Sequence, residues 1–337
     1  MQFSFDSDQL AMRDAVRAFC ADRLDLADLA GRDGKPAHPG LWSGLAELGV
    51  LGVLTGGPSS GIGLVEASIA FEQLGAHLAP GPLLWSVLAA PFVTGAGEGT
   101  SRVAGVELSG PADGPVVVEH GDECDALLVL RAETVEVVAQ ADLPAGRAGS
   151  PLDPLTPVRL LPRLPAGQVV GDAAAARRLR LTGAVLSAAM LVGVAQGALD
   201  TARSYALERE QFGAAIGSFQ AVKHLLADMY VRVELARAAA YAAAAIATDP
   251  RGGDPERAAS TAKLLAGEAG IGNGRAAVQI LGGMGFTWDM LPHYFLKRAW
   301  VLENCFGTGP AHAARLGAAV GGELGDAAVR GAGPTES

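Results

Sequence analysis

Arg209, Gln211 and Gln220 are three polar side chains within a stretch of mostly small and apolar residues. They belong to the run Glu-Arg-Glu-Gln-Phe-Gly-Ala-Ala-Ile-Gly-Ser-Phe-Gln, which begins at Glu208. A guanidinium carries a fixed charge and five donors, and the two amides add donors and acceptors, so this group suits an anionic ligand such as a diphosphate. An ordinary interhelical loop with a surface arginine has the same composition, and the residues alone favour that plainer interpretation.

Two helices must position this stretch. Hydrophobic spacing predicts one helix from Ala174 to Arg209 and a second from Ser218, a candidate N-cap, to Thr248. Gly213 and Gly217 punctuate the connection, because glycine enters positive φ without strain. The buried face of the second helix is predicted to comprise Val222, Leu225, Leu226, Met229 and Val233.

The flanking sequence divides into regions of different texture. Helices are predicted over residues 6–24, 41–51, 64–74 and 83–93, the first with a variant capping box formed by Asp6 and Gln9. Short valine-rich runs at 103–108, 116–119, 126–130 and 134–138 predict a small β domain. Helices over 255–281, 293–305 and 310–319 complete a C-terminal bundle, and Asp254-Pro255-Glu256 is a clear helix start.

The fold class is therefore mostly α with a small central β domain. The predicted boundaries are an N-terminal helical domain over 1–94, a β domain over 95–172 and a helical bundle over 173–322. Residues 323–337 are small and polar and are predicted to be a disordered tail.

Composition excludes several classes of function. The 337 residues carry 26 Lys and Arg against 36 Asp and Glu, a net charge of −10, which disfavours nucleic acid and anionic lipid surfaces. Cys20, Cys124 and Cys305 are far apart, as expected of reduced thiols in a cytoplasmic protein, and no metal site is predicted. The uncharged stretch from Leu181 to Leu199 is interpreted as a buried bundle helix rather than a membrane span.

The motif Arg-x-x-Phe-Gly followed by Ile-Gly-x-Phe-Gln resembles a flavin-contacting signature of the acyl-CoA dehydrogenase family. A second segment, Gln279-Ile-Leu-Gly-Gly-Met-Gly-Phe286, resembles that family's other flavin segment. The resemblance spans roughly residues 1 to 320 and implies the family fold, with a short β-barrel-like middle domain, and FAD as the cofactor. It assigns contact with the dinucleotide half of a neighbouring subunit's FAD to Arg209, Gln211, Phe212, Ile216, Gln220, Gln279, Gly282 and Gly283.

Two departures from the family pattern concern catalysis. The family usually places a glutamate base in a Tyr-Glu-Gly-Thr-like segment, and Phe306 stands at that position in Cys305-Phe306-Gly307-Thr308. Some members carry the base on the preceding long helix, at a position that falls near Gly183. Glu303 is the nearest substitute, although a solvated residue facing Arg298 or Lys297 is the favoured interpretation. No threonine-glutamate-proline segment that would hold the flavin ring is found, and 109–113 does not replace it.

This combination resembles the shortened, base-less subunit of bacterial heteromeric acyl-CoA dehydrogenases, which act on sterol and other bulky acyl-CoA substrates. No catalytic residue is assigned on this hypothesis, and the chain completes a partner's FAD site, for example in a heterotetramer. Two alternatives remain open: a self-sufficient homo-oligomeric dehydrogenase with a displaced base such as Glu303, and a non-enzymatic structural partner. The resemblance also implies an electron-transfer flavoprotein or a similar electron acceptor.

Overall fold

A computed structural model describes residues 4–24, 26, 29, 39–55, 63–108 and 114–331, with side chains described to residue 321. Residues 57–61, which separate the second and third predicted helices, the segment 109–113 and the last six residues lie outside this description.

Among the described residues, four α-helices precede the β region. They are α1 (Ser7–Arg23), α2 (Pro39–Glu47), α3 (Leu64–Ala76) and α4 (Leu83–Ala89). The predicted capping box is present at α1, where the Asp6 carboxylate accepts hydrogen bonds from the backbone N–H groups of Asp8 and Gln9. In return, the Asp6 N–H donates to Gln9 Oε1 at 3.2 Å.

Seven short strands form two sheets between the helical regions. The strands are β1 (Val103–Glu107), β2 (Val116–Glu119), β3 (Ala126–Leu130), β4 (Val135–Ala139), β5 (Arg147–Ala148), β6 (Val158–Leu161) and β7 (Gln168–Gly171). One sheet has the order β1-β3-β4-β7, with β1 parallel to β3, and the other has the order β2-β6-β5. No pairing joins the two sheets among the described residues, so the barrel-like expectation is corrected to two packed, open sheets.

The C-terminal region is a helical bundle with one small hairpin. Its elements are α5 (Ala173–Glu208), β8 (Glu210–Gln211), β9 (Ala214–Ala215), α6 (Gln220–Thr248), α7 (Pro255–Leu281), α8 (Pro292–Asn304) and α9 (Gly309–Gly331). As predicted, Asp254 caps α7 through the N–H groups of Glu256 and Arg257. The backbone of α9 remains helical to Gly331, past the boundary expected at 322.

Glycines bring α3 and α5 into close contact at the centre of the molecule. A Cβ added to Gly75 would lie 2.1 Å from the carbonyl oxygen of Met190, and one added to Gly193 would lie 1.9 Å from that of Glu72. The two helices therefore pack backbone against backbone. Among the described helices, α5 alone is long and apolar enough to cross a bilayer, and 83% of its most apolar window is buried within the protein, as expected of a core helix.

Ser218 does not cap α6, contrary to the sequence prediction. A single 3₁₀ turn, Ile216–Ser218, comes first, and α6 begins at Gln220 with Phe219 in extended conformation at the N-cap. The Ser218 hydroxyl donates instead to the carbonyl oxygen of Ala215 at 2.7 Å. The hydroxyl thus stabilises the tight turn, because it reaches a carbonyl three residues earlier before the helix starts.

Candidate functional site

The connection between α5 and α6 is an exposed β-hairpin. Glu210 pairs with Ala215 and Gln211 with Ala214, so Phe212 and Gly213 form the two-residue turn. Both turn residues have positive φ, 56° and 79°, as the twist of a two-residue hairpin requires. The Phe212 side chain is 95% exposed and is one of the least covered large apolar groups in the described chain. An exposed aromatic on a rigid turn is typical of a contact surface.

The hairpin leaves its polar groups available to a ligand. The side chains of Arg209 and Gln220 make no hydrogen bond or ion pair with any residue that the structure describes, and both are exposed. Gln211 uses one amide N–H on the neighbouring carbonyl oxygen of Glu210. Ile216 is half-buried and packs against the core, which anchors the base of the hairpin.

The second sequence-predicted segment lies at the C-terminal end of α7. Gln279 is exposed on the last turn, and Gly282 follows as the C-cap with φ 62°. A Cβ at Gly282 or Gly283 would meet nothing within 4 Å, so this backbone is open to an approaching molecule. A helix C-cap alone explains the positive φ of Gly282. The open backbone beside it is what a ligand-contacting role adds.

Within one chain the two segments remain separate. The hairpin packs against α5 and α6, whereas the 282–286 turn packs against α7 and α8. No hydrogen bond, ion pair or ring contact links them among the described residues. The predicted cofactor-contacting residues therefore form two exposed surfaces rather than one enclosed pocket.

The position of the expected glutamate base is filled by an aromatic pair. Phe306 is buried, has φ 56°, and its ring centroid lies 4.8 Å from that of Trp85. A Cβ added to Gly183 would lie 2.5–2.6 Å from three carbons of the Phe306 ring. The two places where the resemblance would put a base therefore meet in space, and the ring occupies the gap between them.

A glycine on β1 makes room for the other ring. A Cβ at Gly105 would lie 2.0 Å from Trp85 Cδ2, so any larger residue there would displace the indole. Trp85 and Phe306 are thus held between the middle of a strand and the middle of a helix, each lined by a glycine. Glycine in the interior of either element costs about 0.5–1 kcal/mol relative to alanine. The room that Gly105 and Gly183 leave for the two rings accounts for glycine at these positions.

The turn that carries Phe306 is braced by buried polar contacts. The Lys263 ammonium group on α7 donates to the carbonyl oxygens of Leu302 and Glu303, both at 2.8 Å, at the C-terminal end of α8. Burial lowers the pKa of Lys263 to about 8. The Glu303 carboxylate accepts a hydrogen bond from the Gly309 N–H at 2.6 Å, at the first residue of α9.

Glu303 therefore caps a helix and does not face Arg298, contrary to the sequence interpretation. Arg298 is buried and forms an ion pair with Asp153 instead. The Glu303 carboxylate is thus engaged by an N–H donor at a helix N-terminus. This engagement weakens the case for Glu303 as a displaced base.

His312 fixes the same turn from α9. Its Nε2 lies 3.0 Å from the carbonyl oxygen of Phe306, and its Nδ1 lies 3.1 Å from Ser260 Oγ and 3.3 Å from Arg315 Nη1. Burial is the main cause that lowers the pKa of His312 to about 4, so the ring is neutral near pH 7. The consistent tautomer donates from Nε2 to Phe306 and accepts at Nδ1 from Arg315.

Two carboxyl groups line the crevice between the β region and this turn. The crevice has a volume of about 520 Å³, and Glu107, Glu119 and Phe306 are among its lining residues. Glu107 pairs with Arg180 at 2.7 Å. Burial is the main cause that raises the pKa of Glu119. Phe306 also borders a second cavity of about 200 Å³ that includes Arg177, Arg180 and His312.

The sequence reasoning missed Trp85, Glu119, Lys263 and His312. In the sequence, Trp85 is simply part of a short apolar helix, and Glu119 is the last residue of a valine-rich strand. A partial signal existed for His312, because a histidine two residues after Gly-Pro in a new helix is well placed to contact the preceding turn. No spacing rule could have paired Gly183 with Phe306 across 123 positions.

Two helical regions around a small β region, with two flavin-type surface segments, define an acyl-CoA dehydrogenase architecture. The family model described as "Acyl-CoA dehydrogenase, N-terminal domain" matches residues 6–99. The model described as "Acyl-CoA dehydrogenase, C-terminal domain" matches residues 174–321. The chain belongs to the acyl-CoA dehydrogenase family, and the predicted family and fold class are confirmed.

Particular relatives come mainly from mycobacteria. The chain is 33% identical to the acyl-CoA dehydrogenase IpdE2 of Mycolicibacterium smegmatis over 268 residues, which are 77% of this chain and 81% of that protein. It is 32% identical to FadE34 of Mycobacterium tuberculosis over 77% of this chain, but spans only 39% of FadE34. The ChsE4-ChsE5 complex of Mycobacterium tuberculosis contains a chain with TM-score 0.79 and 25% identity, matched over 95% of this chain and 99% of that one.

FAD is the cofactor of this family, in agreement with the sequence prediction. The surfaces on this chain fit the dinucleotide end of that molecule. Arg209 offers an unengaged charge for a diphosphate, Gln211 and Gln220 offer amides, and the open backbone at Gly282 allows close approach. FAD would supply the hydride acceptor in the family reaction, and Arg209, Gln211 and Gln220 are the residues predicted to hold its nucleotide half.

Proposed function

We propose that this chain is a subunit of a heteromeric acyl-CoA dehydrogenase and completes the FAD site of a partner subunit without supplying the catalytic base. The reaction is the α,β-dehydrogenation of an acyl-CoA thioester, with an electron-transfer flavoprotein or similar acceptor downstream. The observation that carries the proposal is the Phe306 ring, which fills the place of the glutamate and rests on Gly183.

The chemistry explains why this substitution matters. The reaction needs a carboxylate that removes a proton from the α-carbon while a hydride leaves the β-carbon. An aromatic hydrocarbon ring cannot accept that proton. The Phe306 ring is held in contact with Trp85, at a centroid distance of 4.8 Å.

The exposed hairpin supports the other half of the proposal. A charged arginine, two amides and a nearly fully exposed phenylalanine at 209–220 have no function within this chain, but fit the surface of a nucleotide held by a second subunit. The similarity to IpdE2 and to a chain of the ChsE4-ChsE5 complex supports a role in the metabolism of fatty acids or sterol side chains.

The test compares the chain alone with the chain co-expressed with an acyl-CoA dehydrogenase subunit from a neighbouring gene. We expect about one FAD for every two chains in the complex, from the absorbance near 450 nm, and bleaching by an acyl-CoA under anaerobic conditions. Full flavin loading and substrate-dependent bleaching by the chain alone would contradict the proposal.

The two alternatives make different predictions in the same preparation. A self-sufficient enzyme that uses Glu303 would lose turnover in Glu303→Gln, whereas the cap role predicts reduced stability with unchanged turnover by the complex. A purely structural partner would leave the assembled complex with its full flavin content after Arg209→Ala.

A further inference from the structure

Arg298 lies where three parts of the chain meet. It is on α8 and is 4% exposed. Its Nε donates to Asp153 of the β region, which is fully buried, and its Nη1 donates to the carbonyl oxygen of Ala79, just after α3, at 2.9 Å. The remaining nitrogen, Nη2, has no acceptor among the residues that the structure describes. A buried charged donor without an acceptor is unusual and costly.

A small cavity of about 40 Å³ lies beside this guanidinium. Its polar lining comprises Arg298, Glu119, His120 and Thr156, and Trp85 and Met190 contribute apolar walls. Its size suits one small oxygen-bearing group rather than a whole ligand.

The cavity shares lining residues with two larger spaces. Glu119 and Val301 line the small cavity and also both neighbouring spaces, of about 470 and 520 Å³, between the β region and α8. Trp85 and Cys305 line the small cavity and the larger of these spaces. A ligand lying in the crevice beside Phe306 could therefore extend one end towards Arg298.

The charges select the kind of group that fits there. The Arg298 cation is already balanced by Asp153, so a second anion would enter without a free counter-charge. Burial raises the pKa of Glu119, which favours the protonated carboxyl and hence an O–H donor. Arg298, with its unpaired Nη2–H, and Glu119 both line this small space, and two such donors match an uncharged acceptor oxygen.

We propose that this cavity is a recognition site for an uncharged oxygen, a ketone or hydroxyl, at the far end of an acyl group bound in the crevice, with Arg298 and Glu119 as the recognising residues. The choice of an acyl thioester as the ligand rests on the proposed function. The site makes this subunit selective for oxygenated acyl groups, even though it contributes no base.

Paired probes test the proposal without altering the protein. Binding of octanoyl-CoA and 7-oxo-octanoyl-CoA to the complete complex is measured by calorimetry in the presence of a reduced, non-reacting flavin. We expect the oxo compound to bind about tenfold more tightly or better, the effect of one hydrogen bond to a charged donor. Equal affinities would overturn the proposal and would show that the cavity holds only water.

Substitutions at Glu119 separate recognition from folding. Glu119→Ala should abolish the preference for the oxo compound, whereas Glu119→Gln, which keeps an N–H donor, should retain most of it. Glu133→Gln, an exposed residue of the β3–β4 turn, is the matched control and should leave the preference unchanged. Retention of the full preference in Glu119→Ala would contradict the assignment.

Failure here differs from failure of the proposed function. If both probes bind equally but flavin content is one per two chains, only the recognition site is wrong. If the chain alone binds full flavin and turns over, the subunit role is wrong, whatever the preference between the probes.

Discussion

The hairpin at 209–216 and the turn at 302–312 belong to the same helical region but differ sharply in solvent exposure. The hairpin exposes Phe212 and leaves Arg209 without a partner, whereas the turn buries Phe306 and engages a lysine, a glutamate and a histidine to hold it. Exposed aromatic and charged side chains on one turn are typical of a surface that contacts another molecule. The buried turn instead maintains a fixed shape, with a ring where the family places its reactive acid.

The largest effect is expected from removing the brace. Lys263→Met should lower the free energy of unfolding by about 2–4 kcal/mol, because two buried carbonyl oxygens lose their donor. Urea unfolding followed by circular dichroism measures the change. Lys223→Met on the exposed face of α6 is the control and should be nearly neutral. A loss below about 0.5 kcal/mol would show that the brace is dispensable.

The hairpin should show the reverse pattern. Arg209→Ala in the complex should weaken FAD retention by about 10- to 100-fold, since a charge-assisted contact to the diphosphate is lost, while the melting temperature of the isolated chain stays unchanged. Arg203→Ala, an exposed arginine on α5, is the matched control. Flavin content after dialysis is the measurement. An unchanged flavin content would remove Arg209 from the cofactor site.

A single methyl group tests the fit of the aromatic ring. Gly183→Ala should destabilise the protein by about 1–3 kcal/mol, although alanine favours helices, because the new Cβ collides with a ring that Trp85 holds in place. Gly317→Ala on α9 meets nothing within 4 Å and should be neutral or slightly stabilising. The pair is compared by thermal melting. Equal melting temperatures would mean that Phe306 can move aside.

The smallest expected effect is on the pH dependence of the free energy of unfolding. The pKa of His312 is about 4 in the folded protein, below the ordinary value of 6.5, so between these two values the unfolded chain binds the extra proton. Stability should therefore fall as pH falls through that window. His312→Gln keeps a donor to Phe306 and should flatten this part of the pH profile. Unfolding free energies at about pH 7 and about pH 5 give the comparison, and identical slopes would contradict the assignment.

Much of the fold was predictable because its signals are local. The capping box at Asp6 and the Asp254-Pro255 start of α7 satisfy backbone donors within three residues, and both were confirmed. The prediction that Ser218 caps α6 was wrong, because its hydroxyl donates to the Ala215 carbonyl oxygen in the preceding turn. The barrel-like arrangement of the middle domain could not be checked from the sequence, because strand pairing depends on partners far along the chain, such as Val103 with Ala126.

The site divides in the same way. Arg209 and Gln279 were found because each lies in a short continuous segment, and their assignment to FAD contact stays a prediction. The contact of Phe306 with Gly183 and Trp85 was not visible, since it combines residues from three elements. The sequence shows Phe306 where the resemblance places a glutamate, and the fold adds that its ring packs between Gly183 and Trp85.

The two hydrogen bonds of Arg298 have a consequence for how the molecule unfolds. One guanidinium serves the C-terminal helices, the β region and the end of α3 at once, and its counter-charge, Asp153, is completely shielded from water. Separating the β region from α8 would leave Arg298 and Asp153 as unpaired buried charges, and separating the end of α3 would remove a further acceptor from Arg298, so the three parts should melt together in one transition. A protease that cuts within this chain should consequently yield no long-lived N-terminal or C-terminal fragment.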